Sequence, residues 1–232
     1  MHIPNGLIDP KMGFGFLGAA ALVLGYCFSK VKEAITQVVP ERALAAVGNA
    51  VATIGGKGKR VLTKIGEQKL TLMGMVASLI FVGQMFNFPV ADGTSGHFLG
   101  GVFAAIVLGP FAGTIVMAVV LAVQSLFFAD GGPMALGVNI INMGFIATFC
   151  VYYIYLLLKK FMPESLSVAV SAFLSIMAAA FACSVEIGFS ETIPLNQIIP
   201  AMLKTHLLIG VGEAAITLIL LALSKYILPN EE

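Results

Sequence analysis

The first six residues, Met1-His2-Ile3-Pro4-Asn5-Gly6, concentrate nitrogen donors in one short stretch. A free α-amine, the deprotonated amide nitrogen of His2 and the Nδ1 of the same residue close fused five- and six-membered chelate rings around one ion. That makes three ligands from two residues, nearly in one plane. A planar all-nitrogen set suits Ni(II) or Cu(II), which take square-planar or tetragonal geometry, and suits the oxygen-seeking Mg(II) and Ca(II) poorly. A bulky residue at position two disfavours removal of the initiator methionine, so the amine belongs to Met1. A fourth donor is needed, and the chain has only two further histidines, His97 and His206.

His97 ends the run Asp92-Gly93-Thr94-Ser95-Gly96-His97, a turn that opens an apolar helix. A lone histidine there is ordinarily a capping or interfacial residue. It is favoured as the fourth donor because it falls on the same side of the membrane as Met1 in the topology drawn below. Gly93, Gly96, Gly100 and Gly101 permit close backbone approach, so an inserted amino-terminal segment can reach the bundle interior. His206 is the alternative donor. It and Glu213, two turns on, read more naturally as interhelical hydrogen-bond partners, as do Asn139 and Asn142 on one helix face. Ionisable groups inside a membrane are costly and invite a functional reading until their partners are known.

These residues need a membrane bundle to position them. Of the 232 residues 59% are apolar and 11% charged, and the mean hydropathy is +0.98, which excludes a soluble globular domain. A span of the hydrocarbon core takes about 20 apolar residues. Apolar runs fall at 13–29, 70–88, 97–109, 111–128, 137–158, 166–188 and 206–227; the third, ending at Gly109-Pro110, is short enough for a half-length helix or a tight hairpin. If seven helices alternate, 11 of the 13 Lys and Arg residues fall on one side, which is therefore cytoplasmic. Met1 and the loops with Asp92, Asp130 and Glu191 are then outside and the carboxy terminus inside. The first run lacks a well-placed cleavage site, so it is expected to be a retained helix and not a signal peptide.

The whole chain, 1–232, reads as one membrane domain. Residues 36–69 stand apart, with Pro40, an Ala/Val-rich stretch, Gly55-Gly56-Lys57-Gly58 and six basic residues. They form a basic cytoplasmic insertion between the first two helices, either lying on anionic lipid or solvated. Cys27, Cys150 and Cys183 lie in separate apolar runs without C-x-x-C spacing and read as packing residues. A net charge of +1 offers nothing to nucleic acid. No phosphate-binding loop is present, because the glycines and lysines at 55–59 lack its spacing.

With these residues in view, the chain resembles the cobalt/nickel substrate-binding components of energy-coupling factor (ECF) transporters, the CbiM/NikM family. The likeness runs through Met1–Gly6, Met85-Phe86-Asn87-Phe88-Pro89-Val90 and Gly93–His97. It continues in Gly109-Pro110-Phe111-Ala112-Gly113, Asp130-Gly131-Gly132, Leu136–Gly144, and His206 followed by Ile209–Thr217. The resemblance implies an all-α integral membrane fold, a six-helix bundle preceded by one extra helix whose tip tucks in from outside. It implies a site made of the Met1 amine, the His2 amide nitrogen and imidazole, and His97, holding Co(II) or Ni(II) as transported substrate with no resident cofactor. It implies a multi-pass subunit of the cell membrane, non-catalytic itself and linked to cobalamin biosynthesis where cobalt is the cargo. The expected partners are a transmembrane coupling subunit, a pair of cytoplasmic ATPases and a small auxiliary membrane subunit.

Two departures stand out. Asn5 replaces the family's usual acidic residue and bears on the groups that orient His2, and residues 36–69 are longer than expected. The readings to set beside this one are a stand-alone secondary carrier or channel built around Glu213, and an intramembrane enzyme using His206 and Glu213. The latter lacks a nucleophile or a H-E-x-x-H pair.

Overall fold

The computed structural model describes residues 2–39, 59–91 and 94–227. Its helices are α1 (Pro10–Ile35), α2 (Lys64–Met85), α3 (Gly101–Leu108), α4 (Pro110–Phe127), α5 (Pro133–Leu158), α6 (Glu164–Phe189) and α7 (Leu195–Ile227). Six are long and apolar enough to cross a membrane, and α3 is the half-length helix anticipated for the third run. The first two helices begin upstream of their apolar runs, because polar caps carry them there. Asp9 precedes Pro10 and accepts the Lys11 and Met12 N–H groups at 2.9 and 3.2 Å, and Thr63 accepts the Gly66 N–H at 2.9 Å. The second helix consequently starts at Lys64.

The stretch between α1 and α2 contains a two-stranded antiparallel ribbon, β1 (Thr36–Val39) with β2 (Lys59–Leu62), pairing Thr36 with Leu62. Residues 40–58 of the basic insertion lie outside the described residues. A second ribbon, β3 (Asn87–Ala91) with β4 (Thr94–His97), sits between α2 and α3 and sets Asn87 opposite His97.

The core centres on α4, whose Val116, Met117, Val120 and Leu121 pack against Ile80 of α2, Phe103 of α3 and Met143 of α5. The α6–α7 hairpin is held by small residues: Ser167, Ser171, Ala172, Ser175 and Ala179 are buried, and a Cβ on Gly210 would meet the Phe173 ring at 2.8 Å. Leu22, Phe28, Leu208 and Val211 point outward, exposed as lipid-facing residues should be. The middle of α5 is wound as π-helix over Ile140–Cys150, with the Thr148 hydroxyl donating to the Met143 carbonyl five residues back. Such segments are rare and cluster at functional sites. This one begins directly after Asn139.

Candidate metal centre

Residues 2–9 enter one end of the bundle as a strap of turns and extended chain, since Pro4 and Gly6 (φ 93°) deny it a helical course. Ile3 anchors the strap. Its side chain is 1% exposed and packs with Ala135, Val138, Cys183 and Ile187. Its N–H donates to Asn139 Oδ1 at 3.0 Å, and its carbonyl accepts from Asn139 Nδ2 at 3.3 Å and from the Gly132 N–H at 2.9 Å. One buried amide thus satisfies both backbone groups of one residue, as burial demands. Further along, Asn5 Oδ1 accepts the Met134 N–H at 3.3 Å, and Gly132 must be glycine because a Cβ there would overlap Asn5. The Asn5 side chain therefore fastens the strap to the α5 entry turn, and its oxygen serves that backbone and not the His2 ring.

With Ile3 pinned, His2 falls beside His97. The two rings stack with centroids 4.9 Å apart and planes inclined by 16°. The His2 side chain is 5% exposed, and its Nδ1 lies 2.8 Å from Asp130 Oδ1; the carboxylate accepts, so Nδ1 carries the hydrogen. His2 Nε2 is buried with no partner. His97 Nδ1 donates to the Phe98 carbonyl at 2.9 Å, which leaves its lone pair at Nε2. Burial first, and nearby positive charge second, push the His97 imidazole down to about 3, so it is a neutral donor at physiological pH. The hydrogen bond from His2 holds the Asp130 carboxyl below its ordinary range, against the opposing effect of burial.

The turn after His97 is fixed from two helices. Glu213 of α7 accepts the Leu99 and Gly100 N–H groups at 2.7 and 2.8 Å, one on each oxygen. Gln84 of α2 donates to the Leu99 carbonyl at 2.7 Å and accepts from Gln124 of α4 at 2.8 Å. The Gln124 carbonyl in turn receives the Phe128 and Asp130 N–H groups at 3.0 and 3.1 Å. One hydrogen-bond chain therefore supports both the His97 turn and the Asp130 loop. Gly100 has φ 81°, and a Cβ on it would stand 2.8 Å from the Phe98 ring, so both conformation and space require glycine.

Of the sequence-derived candidates, His2 and His97 come together, and Met1 lies outside the described residues. His206 donates from Nδ1 to the Met202 carbonyl at 2.7 Å in its own helix and leaves Nε2 buried without a partner. Glu213 is the hydrogen-bond partner expected of it, and Asn142 donates to Glu186. Gln84, Gln124, Glu186 and the role of Asp130 escaped the sequence reading. The available signal was an isolated amide or carboxylate in an otherwise apolar helix: Gln124 is the only amide in α4. Among the described residues no group of three or more His, Cys, Asp or Glu side chains gathers into a cation site.

The helical membrane bundle is shared with solved transition-metal transporters. Two crystal structures so described match with TM-scores of 0.76 at 30% identity, one covering 97% of this chain and 99% of its own, the other 98% and 93%. The chain belongs to the CbiM family, described as the cobalt uptake substrate-specific transmembrane region, whose model matches residues 37–230. A protein of Archaeoglobus fulgidus assigned as a fused nickel transport protein, NikMN, is 35% identical over 94% of this chain, and the chain spans 63% of that relative. The cobalt transport protein CbiM of Acetoanaerobium sticklandii is 27% identical over 72% of each chain. This is therefore a multi-pass cell-membrane protein of a metal-transport family.

Proposed function

We propose that this chain is the cation-capturing subunit of an ECF-type importer for Ni(II) or Co(II), loaded from outside the cell. The ion is held by the Met1 amine, the His2 amide nitrogen, His2 Nδ1 and His97 Nε2. The observation that carries this reading is the stacking of two imidazoles, 95 positions apart in sequence, at the buried end of an inserted amino-terminal strap. Imidazole donors suit Ni(II) and Co(II) and not the hard cations. No set of three or more His, Cys, Asp or Glu side chains among the described residues is arranged to hold a cation, so the proposed site takes its remaining donors from the amine and amide of the fused-ring chelate.

The rings as they stand are parallel, and His2 Nδ1 is engaged by Asp130. Loading therefore turns the His2 ring, while His97, its proton parked on the Phe98 carbonyl, stays in place. Release follows from the same geometry. A coupling subunit that shifts α7 against α2 pulls Glu213 and Gln84 apart and loosens the His97 turn. Import is driven by the coupling subunit and a pair of cytoplasmic ATPases, with a small auxiliary membrane subunit.

Uptake of labelled nickel and cobalt into cells carrying the chain with its coupling subunit and ATPases tests this. Accumulation that disappears when the ATPases are inactivated is expected. Equal accumulation by the chain alone would make it a self-sufficient carrier and overturn the reading.

A further inference from the structure

We propose that Asp130 is the positioning and charge-balancing partner of His2, holding the idle ring through one nitrogen and the metal-loaded ring through the other. The inference rests on the nitrogen chelate above. Only Nδ1 of His2 can close a six-membered ring with its own amide nitrogen. In the unloaded chain that atom carries a hydrogen and gives it to Asp130 at 2.8 Å. For chelation the Nδ1 hydrogen is lost to water and Nε2 takes one up, so the ring keeps one proton, and the amide hydrogen leaves to solvent.

The new Nε2–H then needs an acceptor in a place where His2 is 5% exposed and Nε2 has no partner at present. Asp130 is the carboxylate already bonded to this ring, and a turn about Cβ–Cγ lets it receive the second nitrogen. A ligating histidine ordinarily passes its other N–H to such a group, which fixes the tautomer and raises its basicity.

Charge leads to the same residue. A divalent cation with one amine, two neutral imidazoles and one deprotonated amide carries a net charge of +1, and an uncompensated charge in a low-dielectric site is costly. The Asp130 carboxylate brings the loaded site to neutrality. It does so from outside the ligand set, through its hydrogen bond to the His2 ring.

The support of Asp130 suits a positioning role. Its N–H donates to the Gln124 carbonyl at 3.1 Å, the Ser125 hydroxyl donates to the Gly131 carbonyl at 3.0 Å, and Gln124 reaches the His97 turn through Gln84. Its side chain is 40% exposed, so the loop holds it at the boundary between the aqueous outside and the buried ring.

The test uses the full chain with its native amino terminus, in detergent, titrated with NiCl2 by calorimetry while the visible d–d absorption of the bound ion is recorded. Asp130→Asn removes the charge and keeps the size; Asp130→Glu keeps the charge and serves equally if the Asn variant does not fold. Nickel binding about 10- to 100-fold weaker is expected for Asp130→Asn, with a shifted d–d band because the ring's N–H now faces a neutral oxygen. Asp130→Glu recovers most of the affinity relative to Asp130→Ala. A loop that is merely structural would not move the band of a folded variant. Wild-type affinity and an unmoved band in Asp130→Asn, or a Glu variant no better than Ala, overturns the role of Asp130 while the chelate stands. A wild-type chain that takes up no nickel overturns the chelate and this inference together.

Discussion

The two imidazoles of the candidate site are supported in opposite ways. His97 sits on a turn whose backbone is clamped by buried side chains from two membrane helices, Gln84 and Glu213, and its spare nitrogen bonds a carbonyl next door in the chain. His2 rides on a terminal strap anchored one residue away by Asn139, and its own ring is held by a part-exposed carboxylate at the end of the bundle. The contrast separates two tasks. One imidazole is built into the fold and cannot leave without disturbing the core. The other arrives with a strap whose attachment is a handful of hydrogen bonds and one apolar side chain. In the proposed function, capture and release work on the second without unfolding the first.

That contrast makes variants at the turn costly to the fold and variants at the strap costly to binding alone. The largest effect is expected for Glu213→Leu, which strands two buried N–H groups at about 1–3 kcal/mol each. Its thermal unfolding midpoint in detergent should drop sharply and nickel binding should be lost with it, whereas Glu213→Gln keeps one acceptor and falls between. A Leu variant as stable as the wild type would mean that the turn is not held from α7.

Asn139→Leu comes next. It removes two bonds to Ile3, about 2 kcal/mol of strap attachment or about 30-fold in nickel affinity, with the unfolding midpoint little changed. Equal losses of stability and affinity would erase the distinction between strap and turn. Gly132→Ala drives a Cβ into Asn5 and, at the usual 1 kcal/mol or so for overpacking, lowers affinity about fivefold. Calorimetric titration reads both.

The smallest effect is on pH dependence. Burial holds His97 near 3 in the fold against about 6.5 in an unfolded chain, so on acidification the unfolded state takes up the proton first. The stability tied to a neutral His97 is complete above about pH 6.5 and fades as pH falls toward 3. Asp130, lowered by His2, contributes above about pH 3.9 and loses its contribution only below that. Between pH 7 and 5 the unfolding midpoint of metal-free protein should therefore fall less in His97→Gln than in the wild type. Parallel curves would show that His97 is not held neutral by burial.

The sequence made the bundle legible because membrane solvation imposes long apolar runs, and it made His2 and His97 legible because histidines are scarce and topology puts both outside. The half-length α3 could be read from Gly109-Pro110, whose glycine takes φ 83° ahead of a proline suited to a first helical turn. The pairing of Thr36–Val39 with Lys59–Leu62 could not, since register between distant short strands leaves no local signature. Nor could the π-helical stretch of α5, where apolar composition permits either winding. The polar relay from Glu213 through Leu99, Gln84 and Gln124 to Asp130 joins three helices and two loops that sequence spacing does not relate. Only the packing of α2, α4 and α7 around one turn brings it together.

The claim that binds these observations is that the amino terminus itself completes the site. Calorimetric titration with Ni(II) and Co(II) of the native chain, against one bearing a single extra glycine before Met1, tests it most directly. The extension moves the α-amine one residue away, leaves His2 and His97 chemically intact, and should abolish tight binding of both ions. Unchanged affinity would contradict the amino-terminal chelate and turn attention to His206, whose buried Nε2 is without a partner.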